Sequence, residues 1–481
     1  MDVDPGIVAT DLVPATNEVF ALAADKVCGL HDSWDPAAGT PVFTRRGRYT
    51  QRGWTEWTRG FQYGCALLAF DGGGARGGGV GDGRSRRDPG ELLRLGLDQT
   101  NAHMAPHLTH SGVHDHGFNT MSTHGTLLRL ALEGAWSAGA AEVQGCRLAI
   151  CVSGAVQAGR WTELPDGLGY VYSFNGPHSL FVDTIRSMRV LACAHDLGHY
   201  AMSEGDRPVS LARRALQHAA ATARYNIYYG RERDRYDVAG RVAHESIFNV
   251  NDGAYRCPST QQGYSPFSTW TRGLAWAVLG FAELAEWLLW LPEQTVVEAA
   301  VPGIGSVVEA RELMIDAART TAGFYLANSA SDGVTYWDTG APGLAELGDW
   351  RQRPAEPDNP VEPVDSSAAA IAAQGLLRLG RMVDGPYTQA GLTAARTLFS
   401  DRYLAYEQDH QGLLLHVVYH HPNGWDYVPE GGSVPHGESC LWGDYHLLEL
   451  ALLVQRLGRG GDVKWMASRA APEDRGQDHR S

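Results

Sequence analysis

Two aspartates and one loop carry the residues best suited to chemistry. Asp115 stands in VHDHGF between His114 and His116, and Asp183 stands in LFVDTIRSMRVL; each opens an apolar helical stretch. A carboxylate at a helix start is either an N-cap, spent on backbone N–H groups, or a group left for acid–base work, and both readings stand for each residue. The third feature is STQQGYSPFSTWTRGLAWAVLGF, from Ser259 to Phe281, where a polar loop with Gln261, Gln262 and Tyr264 around Gly263 runs into a helix. Trp270, Leu274, Ala277, Val278 and Phe281 form that helix's buried stripe. Ser268, Arg272 and Trp276 follow at four-residue steps on another face, where a cation beside an indole suits a polar ring with apolar sides, such as a sugar. The alternative is that Arg272 and Trp276 pack under a neighbouring helix, since both cover apolar surface well.

Other chemistries find less support. His103, His107, His110, His114, His116 and His124 cluster in sequence, but HExxH is absent and adjacent residues on an element point to different sides, so no metal site is expected. No GxSxG elbow supports a serine triad. The glycine-rich run after Asp71 lacks the GxxxxGK[ST] frame and its strand, so it is no phosphate loop. A formal charge of −15 argues against nucleic acid as a partner, because phosphate binding needs clustered Lys and Arg. Cys28, Cys65, Cys146, Cys151, Cys193, Cys257 and Cys440 contain no CxxC pair and read as reduced core thiols. No run of eighteen apolar residues occurs, so no membrane span is expected, and the first twenty residues lack the features of a secretory leader. The expected location is the cytoplasm. Nothing in the sequence points to a cofactor.

The elements that must position these residues are helical. Apolar spacing places helices at roughly 14–29, 55–70, 89–105, 116–136, 140–157, 181–200, 204–229, 267–290, 303–328, 366–383, 386–402 and 438–457. About a dozen helices without a short repeat suggest paired helices closed into a ring, an all-α fold. Asp365 with Ser366 is expected to cap one helix and Gly458 to end another. Residues 14–460 read as a single domain, with a flexible N-terminus over 1–13, a flexible glycine-rich insert at 71–90 and a disordered polar tail over 461–481.

Taken in order, these motifs resemble glycoside hydrolase family 88, the unsaturated glucuronyl hydrolases. The resemblance rests on HDHGF at His114 to Phe118, the helix led by Asp183, His244 followed eighteen residues later by Gln262, and STWTRGLAW with Arg272 and Trp276. It continues through TYWDTGAP, DSSAAAIA and LWGDYHLLEL, and covers the chain from about Trp54 to Leu457. The resemblance implies an (α/α)6 barrel of six helical hairpins, which the helix count allows. It also implies a hydrolase that hydrates the C4=C5 double bond of a 4,5-unsaturated uronic acid, after which the neighbouring sugar is released spontaneously. By position, Asp183 would be the general acid/base and Asp115 would stabilise charge at C5. His114 would support Asp115, while His244, Gln262, Arg272 and Trp276 would line the sugar pocket.

Three departures from the family pattern bear on this. Gln62 replaces a tryptophan in GFWxG and is expected to remove an aromatic wall; Leu274 replaces a glutamine in RGQAW. Arg186, three residues beyond Asp183, is expected to favour the ionised carboxylate, which is awkward for an acid. These leave the choice of unsaturated sugar open, and keep two alternatives in view: a sugar epimerase on the same barrel, or a carbohydrate-binding protein without catalysis.

Overall fold

The computed structural model describes residues 1–51, 56–73, 87–461 and 463. Among the described residues, twelve main helices alternate between an inner and an outer ring. The inner ring comprises α2 (Arg59–Gly73), α4 (His116–Thr120, a π-helical turn at Met121–Gly125, and Thr126–Leu132), α6 (Thr184–Ser187 with Arg189–Asp196), α8 (Thr271–Leu288), α10 (Ser366–Leu379) and α12 (Leu441–Gly458). Each packs against the next, and α12 returns to α2, so the ring closes. Outside it lie α1 (Ala9–Ser33), α3 (Pro89–His103), α5 (Ala140–Gly159), α7 (Leu211–Tyr225), α9 (Val307–Ala327) and α11 (Tyr387–Leu398). This is the (α/α)6 barrel.

Composition explains the division into rings. Every residue of α8 and of α10 is buried, and the alanine run from Ala368 to Ala373 lets neighbouring inner helices approach closely. Outer helices such as α3, in which Leu92, Gly96 and Thr100 are the buried residues, keep a polar face. Gly117 has a particular duty, since a methyl group there would overlap the backbone of Ser187; its N–H instead donates to Ser187 Oγ at 2.8 Å. That contact draws the starts of α4 and α6 together, and with them Asp115 and Asp183.

Small sheets occupy the connections. The one that matters for the site is three-stranded and antiparallel, ordered β1 (Ser179–Phe181), β2 (Glu245–Phe248), β3 (Tyr255–Ser259), with Phe181 opposite Glu245 and Glu245 opposite Ser259. Several expected boundaries shift accordingly. The stretch expected to be helical from residue 181 begins as a buried strand, and the helix expected from 204 begins at Leu211 after strand Arg207–Ser210. Residues 1–13 are not loose: α1 starts at Ala9, the Met1 ammonium donates to the Leu326 carbonyl at 2.8 Å, and Asp4 pairs with Arg396. Asp71 to Gly73 end α2 and Pro89 opens α3, so both edges of the expected flexible insert are helical; residues 74–86, like 462 and 464–481 of the expected tail, lie outside the described residues. All seven cysteines are free, but Cys257 is exposed on β3, unlike the buried thiols expected. Among the described residues no single helix is long and apolar enough to cross a membrane; one bent pair, Thr271–Leu288 with Glu293–Ala299, passes by length and composition, yet all of its first helix is buried in the protein.

Candidate active site

The inner helices begin at one end of the barrel, and three of them begin with an aspartate. Asp365 behaves as a cap: its carboxylate accepts from Ser367 N and Ala368 N and also holds the Ser367 hydroxyl. Asp115 and Asp183 occupy the same position on α4 and α6, but neither side chain caps its helix. Instead they converge on one imidazole. His114 Nε2 lies 3.5 Å from Asp115 Oδ1 and 3.5 Å from Asp183 Oδ2, and all three residues are largely buried.

The sheet fixes the second half of this cluster. Asp183 follows β1, and Val182 N–H donates to the carbonyl of His244, which precedes β2. The loop after β3 closes over His244, whose Nδ1 accepts from Gln261 N at 3.2 Å and Gln262 N at 3.5 Å. Since Nδ1 accepts, the proton of the neutral ring sits on Nε2, which is buried and has no hydrogen-bond partner. Burial pushes His244 down to about 4, so it is a neutral donor at physiological pH. Phe181 fills the space between the two histidines, 5.5 Å from His114 and 4.7 Å from His244 between ring centroids.

Environment divides the titrating groups. Burial pushes the Asp115 carboxyl up, against relief from His114, and the nearby Asp183 charge adds to the rise. Burial acts upward on Asp183 too, but the hydrogen bond and charge of His114, with a smaller effect of His244, hold it below the usual carboxylate range. For His114, burial acts downward and the two carboxylates override it, lifting the imidazole above its ordinary value. The three groups sit close enough to titrate together, so the cluster's protons belong to the group as a whole. Asp183 Oδ1 is buried and has no hydrogen-bond partner.

Arg272 is placed differently from expectation. Its Nη1 bonds Asp365 Oδ2 at 2.5 Å and the Val418 carbonyl, and its Nη2 bonds Gln262 Oε1 at 2.7 Å and the Tyr419 carbonyl at 2.8 Å. The guanidinium lies between Trp270 and Trp442, 4.7 and 5.0 Å from their centroids. With its terminal nitrogens taken up by the protein, it has no fork to offer a uronate; it orients Gln262, whose Nε2 donors remain available. Trp276 is also corrected. It is 2% exposed and packs on Phe118 and His446 at 5.0 and 4.9 Å, because α8 is surrounded on every face. It belongs to the core beneath the site.

The departures noted in sequence fall elsewhere. Gln62 lines a separate cleft with Lys26 and Asp444, between α1, α2, α3 and α12, so it takes no wall from the carboxylate cluster. Leu274 is core. Arg186 turns away from Asp183 and is held by Glu283 at 3.0 Å and Glu449 at 2.8 Å, which removes the conflict with an acid role. Sequence reasoning missed the aromatic surround: Trp57 stacks on Trp442 at 5.1 Å, Tyr419 packs on Trp442 at 4.8 Å, and Phe174, partly exposed, stacks over His114 at 6.0 Å. It also missed Arg160, which ties the loops around the cluster together through the Ser111, Tyr172 and Ser173 carbonyls. Trp442 lies in the LWGDYHLLEL motif and was findable; Tyr419 and Arg160 carry no sequence signal.

The ligand atoms of His114, Asp115 and Asp183 lie within 4.8 Å of one another, a spacing that a metal ion can also use. Spacing among the histidines alone gave no hint of it, because the carboxylates come from two elements. A ligating histidine normally passes its second N–H to a partner, and His114 Nδ1, which is buried, has none.

No family model matches the chain. Among characterised proteins it is similar to the unsaturated glucuronyl hydrolase of Bacillus sp. (strain GL1), 29% identical over 46% of this chain and 48% of the relative. The enzyme of the same name from Formosa agariphila is 25% identical over 50% of this chain and 48% of the relative. The matched segments thus span about half the length of these curated relatives. In structure the chain is similar to the unsaturated glucuronyl hydrolase of Bacillus sp. GL1, with a TM-score of 0.64 and 21% identity, covering 93% of this chain and 96% of that one. In fold over nearly its whole length, and in sequence over about half of it, the chain is similar to the unsaturated glucuronyl hydrolases, as its motifs led us to expect.

Proposed function

We propose that the protein is an enzyme that hydrates the C4=C5 vinyl ether of a 4,5-unsaturated glucuronyl residue at the non-reducing end of a small saccharide or glycoside. The observation that carries this reading is the pair of helix-start carboxylates, Asp115 and Asp183, that cap nothing and meet at one face of His114. In the proposed step Asp183, protonated, delivers its proton to C4, and the positive charge left on C5 and the ring oxygen is stabilised by ionised Asp115. A water then gives its hydroxyl to C5 and its proton back to Asp183. The hemiketal opens to a ketone, and the resulting hemiacetal at C1 expels its substituent, so no attack at C1 is needed.

Asp183 must hold a proton although His114 keeps it low in the free protein. A bound substrate brings a carboxylate of its own and excludes water, and both effects raise the affinity of Asp183 for a proton. His244 Nε2–H and the Nε2 of Gln262 are the donors for substrate oxygens, and Arg272 contributes through its field and by holding Gln262. A cytoplasmic location belongs to the same proposal, supported by free thiols throughout the chain.

One observation favours a second assignment. Asp115 is pushed up and Asp183 down, which suits Asp115 as proton donor and Asp183 as stabilising base. Two measurements address the proposal. Loss of ultraviolet absorbance from an unsaturated glucuronyl disaccharide, with no turnover of its saturated counterpart, is the expected activity; equal turnover of both would sink the hydration reading, and loss of activity on chelation would redirect it to a metal at the cluster. The alkaline limb of the kcat/KM profile should vanish in Asp183→Asn and persist in Asp115→Asn. The reverse would exchange the two roles.

A further inference from the structure

A buried carboxylate outside the cluster is tied to one of its donors. Asp338 stands in the TYWDTGAP motif, in the connection between α9 and α10. It is fully buried, and among the described residues no cation pairs with it. Burial pushes it up to about 6, and the nearby Glu362 charge adds to the rise. A buried charge without a counter-ion is costly, so what it holds matters. Oδ2 accepts from Tyr264 N at 2.9 Å and from the Ser268 hydroxyl at 3.0 Å, and Oδ1 accepts from Gly340 N at 2.8 Å. An amide would offer one accepting oxygen where two are used.

Those bonds anchor the turn that leaves β3. Backbone bonds secure the same junction: Thr271 N donates to the Trp337 carbonyl at 3.0 Å and Thr339 N to the Thr269 carbonyl at 2.9 Å. The other end of the turn rests on His244. Gly263 N donates to Thr260 Oγ1 at 2.9 Å, which leaves the hydroxyl proton of Thr260 for His244 Nδ1 at 3.2 Å, beside the N–H groups of Gln261 and Gln262. Three donors aimed at Nδ1 keep a proton off it. Gly263 fits between the two anchors because it lacks a side chain: a Cβ there would lie 2.7 Å from Thr260 Oγ1 and 3.0 Å from Asp338 Oδ2. Asp338 therefore reaches the His244 ring through a single short turn.

We propose that Asp338 is a positioning residue: by anchoring the turn from Thr260 to Tyr264 it keeps the proton of His244 on Nε2, where it is given to a substrate oxygen. The substrate half of this statement rests on the reaction proposed above; the tautomer half does not. Nitrogen NMR of the full chain labelled with 15N-histidine reads the tautomer without substrate, the His244 signals being assigned by their loss in His244→Gln. The wild-type ring should show a protonated Nε2 and an unprotonated, hydrogen-bonded Nδ1. In Asp338→Asn the two signals should move toward each other as the proton becomes shared between the nitrogens. KM for an unsaturated glucuronyl disaccharide should rise about tenfold, the equivalent of one net hydrogen bond, with kcat within about threefold. Gly263→Ala, which wedges a methyl group between Thr260 and Asp338, should shift the signals in the same way, and it carries the test if Asp338→Asn does not fold. Unchanged signals in either folded variant overturn the assignment, as does a fall in kcat with KM unchanged. Absence of turnover by the wild-type protein would sink the proposed reaction instead, and the nitrogen signals would still decide whether Asp338 governs His244.

Discussion

At the starts of the inner helices Asp115 and Asp183 share only His114, whereas farther along the inner helices Glu283, Glu286 and Glu449 are each held by two arginines. Both regions bury carboxylates, so burial alone does not mark a site. The difference lies in what the carboxylates are given. Glu449, between Arg186 and Arg189, is held far below the ordinary range, while burial outweighs the relief that His114, Arg160 and His110 give Asp115 and pushes it up. Under-satisfied charge is stored where chemistry is proposed, and matched charge is placed where the barrel must hold together.

That contrast can be broken by separating turnover from stability. The largest expected effect is on rate: Asp183→Asn should lower kcat by about 10³-fold or more on an unsaturated glucuronide, with substrate binding within a few-fold and an unchanged unfolding midpoint. Turnover near the wild-type value would remove Asp183 from the mechanism. Next is stability: Arg272→Ala leaves Asp365 buried and unpaired and should cost about 3–5 kcal/mol in denaturant unfolding. If the variant were fully stable yet lost affinity only for substrates bearing a carboxylate, Arg272 would be a uronate reader after all. Smaller again, Asp115→Asn should raise stability by about 0.5–2 kcal/mol while impairing turnover, because the neutral amide relieves a carboxylate that burial disfavours. A drop in stability would mean that Asp115 is structural.

The smallest effect is on acid stability. Burial pushes His107, His116, His124, His244 and His416 down to about 4, and His218 and His446 to about 3. Between those values and the unfolded value of about 6.5 the unfolded chain binds more protons, so stability falls as pH drops through that window. Asp338, Asp426 and Asp444, raised to about 6, act the opposite way as they protonate. Seven groups against three should give a lower unfolding midpoint at about pH 5 than at about pH 7. A higher midpoint at the acid value would show that the carboxyls dominate.

The barrel was largely legible because its helices obey the 3.6-residue period, and the misplaced start at residue 181 has a local cause. LFV at 180–182 is a short continuous apolar run, which reads equally well as buried helix or buried strand. The site was legible by residue type but not by partner. Asp115, Asp183 and Asp365 look alike in sequence; only the structure separates the one that caps from the two that do not. Arg272 looked like a ligand group because its acceptors, Asp365 and the carbonyls of Val418 and Tyr419, lie 93 to 147 residues away. Arg186 likewise looked like a threat to Asp183 until its acceptors, Glu283 and Glu449, were seen on other helices.

The central claim, that the carboxylate pair acts on a vinyl ether and leaves C1 alone, is tested most directly by matched unsaturated glucuronides whose leaving group is joined through oxygen or through sulfur. Hydration at C4 and C5 is nearly indifferent to the linking atom, so the wild-type protein should bleach both at rates within about tenfold of one another and release the thiol from the second. Turnover of the oxygen-linked compound with none of the sulfur-linked one would place the attack at C1 and contradict the account.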